Sequence, residues 1–171
     1  MTIKTAFRRL LRSRSGVAMT EFALGAPLLL TAGLWGTESA NFAMVNMKVS
    51  QLAEHIADNA SRVGDTSTLQ NRKVYEGDIN DVFYGSELQA GPLALYEHGR
   101  VIISSLEVTV AAAGGEGDQY IHWQRCRGAA QYSSSFGQEG DGLVIKIDGM
   151  GPPGEEVYAQ PGQAVIFVEL I

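Results

Sequence analysis

The first acidic side chain is Glu21, and everything before it is basic or uncharged. Lys4, Arg8, Arg9, Arg12 and Arg14 precede the junction Ser15-Gly16-Val17-Ala18-Met19-Thr20-Glu21-Phe22. An apolar run follows through Trp35, and no side chain from Phe22 to Thr37 is charged. The chemistry on offer is ion pairing by a lone carboxylate at the mouth of an apolar helix. An ionisable group inside a membrane segment costs about 2.5–3.5 kcal/mol by insertion scales, so its presence there points to a use.

The element that must position Glu21 is a helix. Val17 to Thr37 would span ~31 Å at 1.5 Å per residue, enough for a hydrocarbon core of about 30 Å. Five cations ahead of the run and an acidic chain after it place residues 1–16 in the cytoplasm by the positive-inside rule. Pro27 would break a soluble helix but is tolerated in a membrane, where neighbours re-satisfy the freed backbone groups. Ala32, Gly36 and Ala40 form a small-residue stripe that lets a second helix approach closely. Ordinary membrane-helix composition explains the same stripe.

The helical pattern does not stop at the apolar run. Phe42, Val45, Val49, Leu52, Ile56, Ala60 and Val63 recur at steps of three and four, the mark of one buried helical face. Asp58 and Arg62 lie four apart with the acid first, the favourable orientation for a helix pair. Gly64 supplies a stop. The expectation is one helix from about Val17 to Val63, apolar all round as far as residue 37 and amphipathic from 38 to 64.

The bulk numbers suit one folded domain plus an anchor. The chain has 171 residues and a net charge of −6, unevenly spread. Residues 1–16 hold five of the 13 Lys and Arg, which leaves eight against 19 Asp and Glu, a charge of −11. So acidic a remainder is a poor partner for nucleic acid, where affinity comes from neutralised phosphates. Cys126 is the single cysteine, so no intramolecular disulfide framework and no multi-cysteine zinc site is available. Arg125 and Arg127 beside it would favour a reactive thiolate or an intermolecular bridge, whereas a packed, idle thiol is the plainer reading.

At this point the residues become recognisable. Gly16 followed by Val-Ala-Met-Thr-Glu21-Phe22-Ala23-Leu24, with Pro27 shortly after and Glu38 at the far end of the apolar run, resembles the start of TadE-like pseudopilins. These are minor components of the tight-adherence (Tad/Flp) type IV pilus. The resemblance covers roughly residues 8–63 and extends weakly to Trp123-Gln-Arg-Cys126 and Val165-Ile-Phe-Val-Glu169. It implies cleavage by a prepilin peptidase between Gly16 and Val17. Its implied partners are other pilin subunits, inner-membrane assembly machinery and the membrane itself. It also implies a short aromatic, Pro-containing tail after the last strand, where this sequence ends at Ile171. Cleavage would create an α-amino group at Val17 with a pKa near ~8. Glu21 sits one helical turn further along the same face, placed to pair with that group or with the amino terminus of a neighbouring subunit. Glycine at 16 would let a protease reach the backbone.

After Gly64 the sequence breaks into short segments. Asp78 to Tyr84 reads as a brief helix capped by Asp78, and Pro92 to His98 is ambiguous. Arg100–Ala112, Tyr120–Cys126, Gly142–Ile147 and Gln163–Ile171 read as four strands. Gly114-Gly-Glu-Gly117, Ser133–Gly142, Gly149–Gly154 and Pro161-Gly162 read as turns or loops. The expected fold is α+β: a long amino-terminal helix, membrane-spanning and then amphipathic, packed against an antiparallel sheet in a pilin-like shape. The expected division is a leader at 1–16, a membrane and assembly helix at 17–37, its amphipathic continuation at 38–64 and an exported, mainly-β domain at 65–171.

Enzymatic signals do not accumulate. His55, His98 and His122 are scattered without metal-ligand spacing, and the glycines at 114, 115 and 117 lack a phosphate-loop signature. Asp78-x-Asn80-Asp81 lacks the glycine and terminal glutamate of a calcium loop. No cofactor is expected, and the chain reads as a structural protein rather than an enzyme. A secretory signal peptide fits less well, because the obvious cleavage site after Ala40 has Glu38 at −3. An uncleaved anchor carrying a non-polymerising binding module explains the cations and the apolar run, but leaves Glu21 without a purpose. A membrane-tethered hydrolase would need a convergent polar cleft.

Overall fold

The computed structural model describes residues 15–64, 73–109 and 117–171, together with Lys4 and Arg8. The chain divides into two compact units, residues up to Met47 and Lys48–Ile171. Helix α1, Ser15–Arg62, runs through the division with Pro27 inside it. It begins and ends within two residues of the boundaries read from periodicity. Gly64 follows with a φ of 109°, a left-handed conformation that suits glycine and ends the helix.

In the first unit α1 is bare. Thirteen large apolar side chains between Val17 and Met47 are more than a third exposed, Phe22 at 74% and Trp35 at 75% among them. The same helix is buried along one side from Leu52, through Ile56, to Ala60. The apolar stripe predicted from Phe42 is therefore used later than expected. Phe42 is exposed and Val45 largely so, and burial starts at the half-buried Val49.

The second unit folds around a three-stranded antiparallel sheet. Helix α2 (Glu76–Ala90) runs into a 3-10 turn (Gly91–Leu93) and the one-turn helix α3 (Leu95–His98). Strands β1 (Val101–Val108), β2 (Gln119–Arg127) and β3 (Val165–Leu170) follow, in the order β2-β1-β3. One face of the sheet packs Val101 and Ile103 with Ile56 of α1 and Val82 and Phe83 of α2. The other packs Leu106 and Ile121 with Met150 and Ala159 from the long connection between β2 and β3. The central strand is covered on both faces, so Val101 to Leu106 is buried at six successive positions and reads as a run rather than an alternation. Buried Ser104 and Ser105 are satisfied: Gln124 Nε2 donates to Ser104 Oγ at 2.9 Å, and Ser105 Oγ donates to Glu107 Oε1 at 3.0 Å.

Three expectations need correction. The helix expected at Asp78–Tyr84 is twice as long, and Asp78 does not start it. Asp78 is at the third helical position, where Oδ2 accepts the Tyr75 N–H at 2.9 Å, half of a capping box. Gly142–Ile147 is not a strand. Gly140 and Asp141 first occupy the outer side of β2, and the chain touches that edge again through a single bridge, Ile147 to Gln119. Gly142, at φ 96°, passes so close that a Cβ would lie 2.1 Å from the Gln119 carbonyl oxygen, and the chain turns away there. Pro92–His98, ambiguous in the sequence, is the end of the 3-10 turn and the one-turn helix α3, with Ala94 left-handed between them. The strand expected at Arg100–Ala112 appears as Val101–Val108, with residues 110–112 outside the described residues, as is the Gly114–Gly117 turn apart from Gly117.

Burial predicts the response to truncation. Ile56→Ala should cost about 2–5 kcal/mol of unfolding free energy in denaturant titrations, the range for emptying a filled core position. Phe42→Ala should change the same quantity by less than about 0.5 kcal/mol, as exposed substitutions do.

Candidate functional site

The first candidate site is α1 from Gly16 to Met47. Gly16, Val17, Glu21, Phe22, Pro27 and Glu38 are all exposed. The predicted stripe of Ala32, Gly36 and Ala40 is equally bare. A Cβ added at Gly16, Gly25, Gly33 or Gly36 would meet nothing within 4 Å, so packing within this chain does not require glycine at any of them. The helix also hides its own polar groups. Thr20 Oγ1 donates to the Val17 carbonyl at 2.8 Å, Thr31 Oγ1 to Pro27 at 2.7 Å and Thr37 Oγ1 to Leu34 at 2.8 Å. Such back-bonding lets hydroxyl side chains sit in an apolar setting without an unsatisfied donor. The Thr31 bond ends on the carbonyl of Pro27, one turn beyond the Ala23 carbonyl that the missing Pro27 N–H leaves free. The helix is long and apolar enough to cross a membrane.

The second unit holds a polar network that sequence reasoning missed. Arg125 on β2 donates from Nε and Nη2 to Glu76 Oε1 of α2, at 2.9 and 2.6 Å. Its Nη1 donates to Glu139 Oε2 at 2.8 Å, and Glu139 Oε2 also accepts the Gln124 N–H at 3.1 Å. One guanidinium thus joins the first turn of α2, the edge strand and the loop beyond it, a contact 49 residues apart in sequence. The Gln124 N–H first, and then Arg125, holds the Glu139 carboxyl below the usual carboxylate range against slight desolvation. Further along β2, His122 Nδ1 lies 2.8 Å from Glu107 Oε1 at a bulge in the β1–β2 register. Burial, and then Glu107, pushes the neighbouring Tyr120 phenol up.

Cys126 is exposed rather than packed, and its cation is not one of its sequence neighbours. Alternation along β2 puts Arg125 and Arg127 on the other face, where Arg127 lies over the Tyr96 ring at 4.8 Å. The guanidinium at Cys126 is that of Arg100, whose Nη2 donates to Sγ at 2.8 Å. A groove of about 500 Å³ lies between α1 and the 3-10 turn, lined by Lys48, Gln51, His55, Gln89 and Leu93 among others. Among the described residues, no group of three or more His, Cys, Asp or Glu side chains is placed to hold a metal ion.

Comparison with known proteins returns no match: no family model fits the sequence, and no curated protein and no solved structure is similar to it.

The sign of the Glu139 shift gives a pH prediction. The folded state binds this proton more weakly than the unfolded chain, so the stabilisation is full above the unfolded pKa near ~4.3 and fades as pH falls through the lower folded value. Glu139→Gln should therefore lower the urea midpoint at neutral pH and flatten its fall between about pH 5 and 3. An unchanged acid limb in the variant would show that Glu139 does not contribute to it.

Proposed function

We propose that the protein is a minor pilin or pseudopilin of the tight-adherence type. In this reading residues 1–16 are a cytoplasmic tag removed by a prepilin peptidase after Gly16. The helix from Val17 then crosses the inner membrane and later packs against other subunits in a surface fibre. The folded unit from Lys48 is carried outside the membrane and serves assembly and adhesion.

One observation supports this above the others: an apolar helix that the described residues leave uncovered, with an exposed carboxylate five residues past an unconstrained glycine. Leaving thirteen such side chains in water forfeits about 1.5–3 kcal/mol each, more in total than the roughly 5–15 kcal/mol net stability of a typical domain. Lipid or other helices must cover them. The nine of them within residues 17–37 outweigh the about 2.5–3.5 kcal/mol charged to Glu21 in a membrane, so the helix inserts in spite of its carboxylate. Pairing Glu21 with the new amino group of Val17 on a neighbour would offset that cost and set the axial register between subunits. Glycine at 16, which this fold does not need, suits an approaching protease.

The groove at Lys48 and His55 favours a second reading, a membrane-anchored binding module that does not polymerise. Two variants separate the two. Glu21→Ala should be cleaved normally yet enter the sheared surface fraction at less than about a hundredth of the wild-type level, since breaking one buried ion pair costs roughly 3–5 kcal/mol. Wild-type amounts in that fraction would contradict the assembly role. Gly16→Phe should leave the tag attached, read as the intact mass of the membrane protein. A variant found shortened by sixteen residues would refute the assigned cleavage site.

A further inference from the structure

The two edges of the sheet are treated differently. Along β2, Ile121 exchanges backbone hydrogen bonds with Gly140 and Asp141, both at 2.8 Å. Glu139 takes the Gln124 N–H, and Ile147 bridges Gln119. Among the described residues, nothing comparable occurs along β3. Ile171 exchanges both of its backbone bonds with Arg100, and the register pairs Glu169 with Ile102 and Phe167 with Ser104. Alternation turns the N–H and C=O groups of Ile166, Val168 and Leu170 away from β1. Among the described residues these groups have no hydrogen-bond partner. The edge has no proline and no lysine, and the one carboxylate on β3, Glu169, is buried. A bare apolar edge of this kind is a template for another strand.

The strand that would fit it is also in this chain. Val144 and Ile145 are strong β-formers beside the apolar Leu143, yet none of the three belongs to a strand, and Leu143, Val144 and Ile145 are 59%, 95% and 80% exposed. Leu143 makes one turn bond to Gly140 at 3.3 Å, and the backbone groups of Val144 and Ile145 make none among the described residues. The segment leaves the β2 edge at Gly142 and returns to it at Ile147, so it stands on the side of the sheet opposite β3. A local sequence that contradicts its own conformation marks a place used for something beyond the fold.

We propose that Leu143–Ile145 of one copy adds to β3 of a second copy as a fourth strand. Backbone bonds would go to two successive members of the row Ile166, Val168 and Leu170, which is as far as three residues reach, and both members bring uncharged, branched side chains to the contact. Because donor and acceptor are on opposite edges of one sheet, the contact is head-to-tail and repeats from copy to copy instead of closing on itself. A lipid surface is the poorer occupant. The segment contains no aromatic residue of the kind that anchors at interfaces, and the adjoining Lys146 is held by Asp118 at 2.8 Å. The pairing lies within Lys48–Ile171 and does not require cleavage after Gly16, so it stands or falls separately from the pilin reading.

The test uses the full chain in native membranes with Cys126→Ser and two differently tagged copies. One copy carries Val144→Cys and the other Val168→Cys, with Ile166→Cys and Leu170→Cys as alternative acceptors in case one weakens the fold. Oxidation should give a mixed disulfide for at least one acceptor and no adduct from Val144→Cys copies alone. Adding Ile145→Asp to the donor copy, at a site 80% exposed and so harmless to folding, should lower the mixed adduct about tenfold by putting a charge in the new strand. The proposal is overturned by no mixed adduct at any acceptor or by an Ile145→Asp yield equal to that without it. Val168→Cys copies linking to one another instead would also overturn it, since that shows edge-to-edge symmetry.

Discussion

An apolar helix that its own polypeptide cannot cover is the constraint on which the rest depends. From Phe22 to Thr37 no charge interrupts α1, and its large side chains are open on every side. Water is the wrong solvent for such a surface, because burial of apolar area is the main favourable term in folding and association alike. Each local feature of the segment is consistent with a non-aqueous partner. Threonine hydroxyls are folded back onto carbonyls, the glycines are free of contacts, and Pro27 sits where a soluble helix would not tolerate it. Glu21 is the carboxylate at the near end of that uncharged run, as Glu38 is at the far end, and the functional reading is built on Glu21.

Past Met47 the same helix changes role. Leu52, Ile56 and Ala60 give it a single apolar side, which closes against α2 and the sheet. The sheet is small, and it is stabilised from both faces: by helices on one and by the β2–β3 connection on the other. Arg125 ties these layers at the rim through Glu76 and Glu139. Exposed ion pairs of this sort contribute little each, so this clasp is best understood as fixing where α2 starts and where the loop runs.

Much of the helix was legible because one pattern repeats over many turns. Steps of three and four from Val49 to Val63, together with Gly64, located the buried side and the end of α1. Phe42 and Val45 carry the same pattern without being buried, since periodicity reports which face is apolar and not what covers it. Strands β1 and β3 were found within a few residues of their ends because β-branched residues concentrate there, and β2 because Tyr120, Ile121 and Trp123 cluster in it. Gly142–Ile147 has the same composition and failed, since a strand needs a partner, and the glycines at 140 and 142 steer it away from the available edge. Arg125 and Arg100 were missed as organising residues for a simple reason. Their partners Glu76, Glu139 and Cys126 are far off in sequence, and pairing of that range leaves no local signal. The reading of Gly16, Val17 and Glu21 as one motif rests on their order in the sequence.

The central claim is that the apolar helix is put to work by subunit packing after the basic segment has been removed. The most direct measurement is amino-terminal sequencing of the wild-type protein recovered from the sheared surface fraction of the cells that make it. The account requires a chain that starts at Val17. A full-length chain beginning at Met1, confined to the membrane and absent from that fraction, would contradict it.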